Sequence, residues 1–304
     1  MKNVSWIGLL AAFGCSEGVS DEVTEDTVPD DADGCAAATV AADQITLGKT
    51  VDGLERRFRF SAPAVEAGEK LPLVMAFHGG GGAGDLFPQE DEFNELVDSE
   101  NLIMVYPIAE LVSPNEGEWQ LNTRAGAMHD IHFLEAILDE MGSRYCVDQD
   151  RLYATGYSLG AMYTYEVACH MNDRFAAVAS FAGTMPVSPD SCALVDNIAL
   201  MNIHGDEDQI IPYGSTWDWK EWDSVGTMMA APSVVDFWSE KNNCQISDES
   251  ATTDGAHRVH DECDGGVRVE HHRLSGVDHG WPWAINGTST PRVIWDFLSA
   301  FQKQ

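Results

Sequence analysis

The sequence is short of positive charge: 17 Lys and Arg stand against 50 Asp and Glu in 304 residues, a formal net charge of −33. Nucleic-acid binding needs clustered cations to neutralise phosphates, and a chain this anionic is repelled at long range, so that class of partner is excluded. Beyond the N-terminus there is no apolar run long enough to span a bilayer. Internal repeats are absent, and after Gly34 no low-complexity stretch breaks the chain, which leaves one expected folded region over residues 35–304. Apolar residues nevertheless make up 44% of the chain. That is well above disordered compositions, and a body of this length buries a large core.

The acidity divides unevenly. Residues 1–34 carry Lys2 and eight acids, net −7, and the remainder carries −26. The body is therefore itself strongly anionic, which favours solubility and a neutral or weakly charged substrate. Lys2 followed by the apolar run Val4 to Phe13 reads as an export signal over residues 1–15, too short to cross a membrane. Cys15 after Gly14 matches a lipoprotein processing site, whereas Ala12 and Phe13 depart from the residues such a site prefers. A lipid anchor on Cys15 and a plain secretion signal therefore both stand. Residues 16–34 are acidic and almost free of large apolar side chains, an expected disordered spacer. The expected location is secreted, or a periplasmic or outer-surface lipoprotein of a bacterium, with no membrane contact other than through Cys15.

Cysteine usage agrees with export. If Cys15 is lost or lipidated, six remain: Cys35, Cys146, Cys169, Cys192, Cys244 and Cys263. Six Cys in an oxidising compartment form three disulfides, and sequence alone does not choose the pairing. The pairs nearest in sequence, Cys169 with Cys192 and Cys244 with Cys263, leave Cys35 for Cys146. Buried free thiols are the alternative.

From Gly34 on, strand and helix signals alternate. Arg57 to Phe60, Leu71 to Phe77, Leu102 to Tyr106, Arg151 to Gly156, Phe175 to Phe181, Ile198 to Ile203 and Val267 to Leu274 read as strands. Phe87 to Asn101, Ile131 to Tyr145, Ala161 to His170, Ser233 to Lys241 and Pro291 to Phe301 have helical spacing. Short apolar runs alternating with helices predict a mostly parallel sheet covered on both faces, a doubly wound α/β domain.

Gly156-Tyr157-Ser158-Leu159-Gly160 matches G-x-S-x-G, a sharp turn that lifts a serine from a strand end onto a helix N-terminus. Glycine and serine are common here, so the motif gains its force from the strand before it and the helix after it. The backbone N–H of Leu159 would face a developing oxyanion. The run His78 to Gly82 follows an apolar strand, and its Gly80 N–H is the expected second donor. A flexible loop or a phosphate cradle are the other readings of that run, and the Lys or G-x-G-x-x-G spacing a phosphate site needs is missing. Two further loops follow strands: His204-Gly205-Asp206-Glu207-Asp208 offers acids, and Asp278-His279-Gly280-Trp281 offers a histidine. A serine hydroxyl is a poor nucleophile until a neutral imidazole takes its proton, and that imidazole needs a carboxylate on its other nitrogen. Ser158, an acid and His279 occur in the chain order of α/β-hydrolases.

These segments resemble the α/β-hydrolase esterase family that includes polyhydroxybutyrate depolymerases and feruloyl and acetylxylan esterases. The resemblance runs from about Thr46 to Phe301, through His78 to Gly82, Gly156 to Gly160, His204-Gly205-x-x-Asp208 with Ile211-Pro212-Tyr213, and His279-x-Trp281-Pro282. It implies an α/β-hydrolase fold, a carboxylic-ester hydrolase working through an acyl-enzyme, disulfides and secretion. It also implies that Asp208 is the triad acid, with Asp206 as the competitor. Asp278 stands where relatives commonly carry glycine, and a carboxylate so close to His279 is expected to raise the imidazole pKa and shift activity to higher pH.

Trp281, Trp119 and Tyr157 are the candidate substrate contacts, and Trp217, Trp219, Trp222 and Trp283 are further aromatic side chains near these loops; ordinary loop packing is the alternative. His129, His132 and Glu135, and the pairs His257/His260 and His271/His272, have spacings compatible with a metal, but scattered histidines usually belong to surfaces or cores. No catalytic metal and no cofactor is expected. The partner is an ester, as polymer, oligomer or small aryl ester, and the chain is expected to be a monomer. Two other readings remain open: a serine peptidase of the same fold, and a non-catalytic surface binding protein descended from a hydrolase.

Overall fold

The computed structural model describes residues 35–80, 87, 89–113, 116–122, 128–186, 192, 194–218 and 225–303. The expected signal and spacer, with Cys15, lie outside the described residues, as do Gly81, Gly82, Trp219 and Trp222.

Along the chain come β1 (Ala42–Val51), β2 (Leu54–Ala62), β3 (Leu71–Phe77), α1 (Glu90–Glu100), β4 (Ile103–Pro107) and the short pair β5 (Glu110–Ser113) and β6 (Glu116–Glu118). Next are α2 (His129–Arg144), β7 (Val147–Tyr157), α3 (Leu159–His170), β8 (Ala177–Phe181), β9 (Ala199–Gly205), the pair β10 (Trp217–Asp218) and β11 (Thr227–Met228), and α4 (Ala231–Lys241). The series closes with β12 (Ile246–Thr252), β13 (Gly255–Asp261), β14 (Val269–Leu274), the pair β15 (Ala284–Ile285) and β16 (Thr288–Ser289), and α5 (Thr290–Leu298).

Ten strands form one sheet in the order β1-β2-β4-β3-β7-β8-β9-β14-β13-β12. The six from β4 to β14 run parallel, and the two outer strands at each edge join antiparallel. Each sheet face carries its own core. One packs side chains of α2, α3 and α4, such as Leu134, Tyr163 and Trp238. The other packs α1 and α5 through Phe93, Leu96, Ile294 and Phe297. Strands covered on both faces need apolar residues at every position rather than alternation, and β3, β8 and β9 are buried throughout. The doubly wound arrangement expected from the sequence is the one observed.

The departures are at the edges. β1, β12 and β13 carry no legible apolar signal, because one face or both meets water; β12, with the sequence ISDESAT, is exposed at six of its seven residues. The three disulfides pair Cys35 with Cys146, Cys169 with Cys192 and Cys244 with Cys263. Among the described residues no helix is long and apolar enough to cross a membrane.

Candidate active site

The C-terminal ends of β3, β7, β9 and β14 deliver the loops that hold the glycine run, Ser158, Asp208 and His279. Between β7 and α3, Ser158 takes φ +56° and ψ −120°, a strained backbone for a residue with a side chain. The flanking glycines allow it. A Cβ on Gly160 would lie 2.1 Å from the Phe77 carbonyl oxygen, and one on Gly156 would lie 2.3 Å from that of Gly160. The turn can therefore close only where both side chains are missing.

Ser158 and His279 are partly exposed and Asp208 is buried. His279 Nε2 is 2.8 Å from Ser158 Oγ, and His279 Nδ1 is 2.7 Å from Asp208 Oδ2. A carboxylate only accepts, so Nδ1 carries the proton and Nε2 is left to accept from the serine hydroxyl. Asp208 Oδ1 accepts from the N–H groups of Ile210 and Ile211, at 2.8 and 2.7 Å. His204 Nε2 donates to the Ile211 carbonyl at 2.9 Å and lies 3.3 Å from Asp208 Oδ2. Burial alone would raise the Asp208 carboxyl, but the hydrogen bonds from His204, His279 and Ile211 outweigh it and hold the group well below the usual carboxylate range.

Asp206 is occupied elsewhere. Its carboxylate takes Arg273 Nη1 at 2.8 Å and the Gly276 N–H at 2.7 Å. Asp278 turns to the backbone: its Oδ1 accepts from the N–H groups of Gln209 and His279, at 2.9 and 2.7 Å.

The glycine loop lies against the serine turn. A Cβ on Gly79 would come within 3.2 Å of Ser158 Cβ, and one on Gly80 within 3.2 Å of Leu159 Cδ2. Leu159 opens α3, so its N–H has no intrahelical carbonyl to meet. His78 anchors the loop. Its ring Nδ1–H donates to the Gly79 carbonyl at 2.8 Å, and its Nε2 accepts from the Ala109 N–H at 3.0 Å.

Of the aromatic candidates, Trp281 is half-buried beside His279, packed on Phe181 at 4.6 Å and edge-on to Tyr157 at 5.9 Å between ring centroids. Tyr157 donates its hydroxyl to the His279 carbonyl at 3.1 Å. Burial, with the nearby Asp208 charge, raises its pKa. Trp119 corrects the expectation of a substrate contact: it is fully buried, stacked on Tyr163 at 4.7 Å, and its Nε1 donates to the His78 carbonyl at 2.9 Å. Its indole is spent on holding the glycine loop from beneath. Trp217 is half-buried and donates to Thr184 Oγ1, and Trp283 is exposed.

Sequence reasoning did not assign roles to His204, which braces the Asp208 loop, or to His78, although both opened motifs that it singled out. Each sits at the end of a wholly buried strand, where a polar imidazole is costly unless it is hydrogen-bonded. That was the available signal.

The Phospholipase/Carboxylesterase family matches residues 66–222, a little over half of the chain and inclusive of Ser158 and Asp208. The chain belongs to the phospholipase/carboxylesterase family. It is a hydrolase with the α/β-hydrolase fold. It is 28% identical over 266 residues to NocK of Nocardia uniformis subsp. tsuyamanensis, covering 81% of this chain and 75% of NocK. It is 24% identical over 251 residues to the bifunctional acetylxylan esterase/xylanase XynS20E of Neocallimastix patriciarum, covering 83% of this chain but 34% of that protein. Among solved structures, a ferulic acid esterase from Anaeromyces mucronatus superposes with a TM-score of 0.53 at 15% identity, covering 88% of this chain and 92% of that one. This carboxylesterase-family hydrolase thus shares the fold of that esterase and spans about a third of XynS20E.

Proposed function

We propose that this hydrolase cleaves carboxylic esters through an acyl-enzyme on Ser158. The observation that carries the reading is the continuous chain Ser158 Oγ, His279, Asp208, at 2.8 and 2.7 Å. Ser158 Oγ attacks the ester carbonyl while His279 Nε2 takes the hydroxyl proton. Asp208 fixes the imidazole tautomer and stabilises the imidazolium. The N–H groups of Leu159 and Gly80 receive the tetrahedral oxyanion. His279 then returns the proton to the leaving alkoxide, and water activated by the same imidazole releases the acid.

For the acyl group, the shelf formed by Trp281 and Tyr157 beside His279, with buried Phe181 behind it, favours an aromatic acid such as a hydroxycinnamoyl group. The name of the Anaeromyces mucronatus esterase supports the same class, and that of the Neocallimastix patriciarum relative adds acetylated xylan. Polyester is the remaining candidate from the sequence resemblance. Three disulfides support an oxidising compartment, in keeping with the export signal proposed for residues 1–15.

The test is Ser158→Ala, which is expected to abolish turnover of an aryl ester and labelling by a fluorophosphonate. Retention of most activity refutes the mechanism, and peptide hydrolysis without ester turnover points to a peptidase instead. Rates on methyl ferulate, acetylated xylan and polyhydroxybutyrate film rank the substrates, and ferulate is expected to lead.

A further inference from the structure

Three side chains of metal-ligating type meet on one face of the sheet, away from the triad. His257 on β13 stands directly opposite His272 on β14 in the antiparallel ladder. Glu270 precedes His272 by two residues, so all three project to the same side. Glu270 Oε2 lies 2.8 Å from His257 Nε2 and 3.8 Å from His272 Nε2. The two imidazoles stack, with centroids 4.0 Å apart and planes 10° from parallel. All three ligand atoms lie within 4.8 Å of one another.

A histidine–carboxylate hydrogen bond accounts for the shorter contact. Stacking on His257 brings the second imidazole near, and its Nε2 stands 3.8 Å from the same oxygen, beyond hydrogen-bond reach and with room for an ion between. A tetrahedral ion would use both nitrogens at once, with the stacked rings tilted so that their in-plane lone pairs converge on one point. Ligand bonds of about 2.0–2.1 Å set the ligand atoms about 3.4 Å apart, and the two separations fall on either side of that spacing. Arg268 Nε lies 2.6 Å from the other oxygen, Oε1, an ion pair that orients the carboxylate with Oε2 towards the rings. The burial is graded: the side chain of His257 is 27% exposed, against 9% for His272 and 8% for Glu270. An ion can enter past His257 and keep a water-facing position.

We propose that His257, His272 and Glu270 bind one divalent ion of the zinc class, with the remaining position open to water, and that this ion fastens the edge strand β13 to β14. The donor set of two imidazoles and one carboxylate suits zinc and cobalt(II) rather than calcium or magnesium, which prefer oxygen ligands throughout. The strong anionic surplus of the chain favours cation entry, while Arg268 on Glu270 and the neighbouring Arg258 and Arg273, each paired with an acid, oppose it. The ion takes no part in ester chemistry, so the inference stands or falls independently of the role of Ser158.

A rival histidine group provides the control. His129 and His132 both place Nδ1 2.8 Å from Asp52 Oδ2, on side chains a third to a half exposed. Chelator-treated full-length protein is titrated with zinc chloride by calorimetry and with cobalt(II) chloride by visible absorption. One equivalent is expected to bind, with a d–d band for the cobalt form. His257→Ala and Glu270→Gln are each expected to weaken zinc at least about tenfold, while the double variant His129→Ala/His132→Ala binds as the parent does. Zinc at about one hundred times its Kd is expected to raise the parent Tm by about 5 °C and to leave that of His257→Ala unchanged. Absence of saturable zinc binding overturns the proposal, and so does binding that survives His257→Ala or disappears in the His129/His132 variant. Should Glu270→Gln fail to fold, half-exposed His257→Ala carries the test, with circular dichroism confirming its fold.

Discussion

Strand β8 buries all five of its residues, whereas β12, at the edge of the same sheet, exposes six of its seven. The middle of the sheet is held by apolar burial from both sides, and the serine, acid and histidine loops all leave from strand ends in or next to that region. The far edge is held by polar contacts: Arg258 on β13 pairs with Glu249 on β12 at 2.9 Å, and His257 with Glu270 at 2.8 Å. The centre supplies rigidity to the chemistry, and the edge is a surface whose hold depends on charge and protonation.

The sharpest test of that division sets two neighbouring acids against each other. Asp208→Asn is expected to lower kcat by about 10⁴ with little change in KM, because the wrong imidazole tautomer is then favoured. Asp206→Asn loses only a partly exposed ion pair with Arg273 and is expected to change kcat less than about twofold. Equal losses in steady-state kinetics would mean that the two acids share the role.

Packing gives the next contrast. Leu200 in β9 is fully buried, and Leu200→Ala is expected to cost about 2–5 kcal/mol in urea unfolding. Ile246 on β12 is 40% exposed, and its replacement by Ala is expected to cost less than about 1 kcal/mol. Similar losses would show that the edge hairpin belongs to the same cooperative core.

Acid should weaken the fold through its buried histidines before it reaches the triad acid. His271 on β14 is deeply buried, with Nδ1 facing the Asn202 carbonyl and Nε2 against the Tyr213 hydroxyl. Burial lowers its pKa to about 3, and His260 on β13 is lowered for the same reason. The unfolded chain therefore takes up protons that the folded chain refuses, so stability falls as pH drops below about 6.5. Between pH 7 and 5 the loss from His271 alone is about 2 kcal/mol. Asp208 is lowered in the same sense, but from the carboxylate range, so its contribution remains intact until pH falls below about 4. Urea unfolding at pH 7, 6 and 5 checks the histidine arm, and a flat profile would refute it.

The smallest expected effect concerns salt. With 50 acids against 17 Lys and Arg, self-repulsion is screened as ionic strength rises, so Tm should climb by a few degrees between about 0.1 and 1 M salt. A steady fall would count against salt adaptation as the reason for the acidity.

What could be read from the sequence follows the same boundary. Leu71 to Phe77 was legible to the residue, because a strand covered on both faces must be apolar throughout. The serine turn was legible because Gly156 and Gly160 leave no room for any other residue. β12 and β13 were not, since their hold on the sheet comes from backbone pairing and cross-strand contacts that set no apolar period. Trp119 misled for a related reason. Its place in the chain put it near the motif loops, but only the fold shows that its indole points under the glycine run. The meeting of His257 with His272 likewise depends on strand register across a turn, which spacing within either histidine pair does not encode.

The disulfide from Cys35 reaches Cys146, the residue just before β7 begins, while Ser158 follows the last residue of that strand. Val147 and Gly156 of β7 stand opposite Leu71 and Phe77 of β3, so the two ends of β7 are about 20 Å apart. Cys35 is thus fixed at the foot of the sheet, and the serine opens at its crest. A pull applied at Cys35 would pass through the Cys146 disulfide into the foot of β7 and die out before it reached the crest.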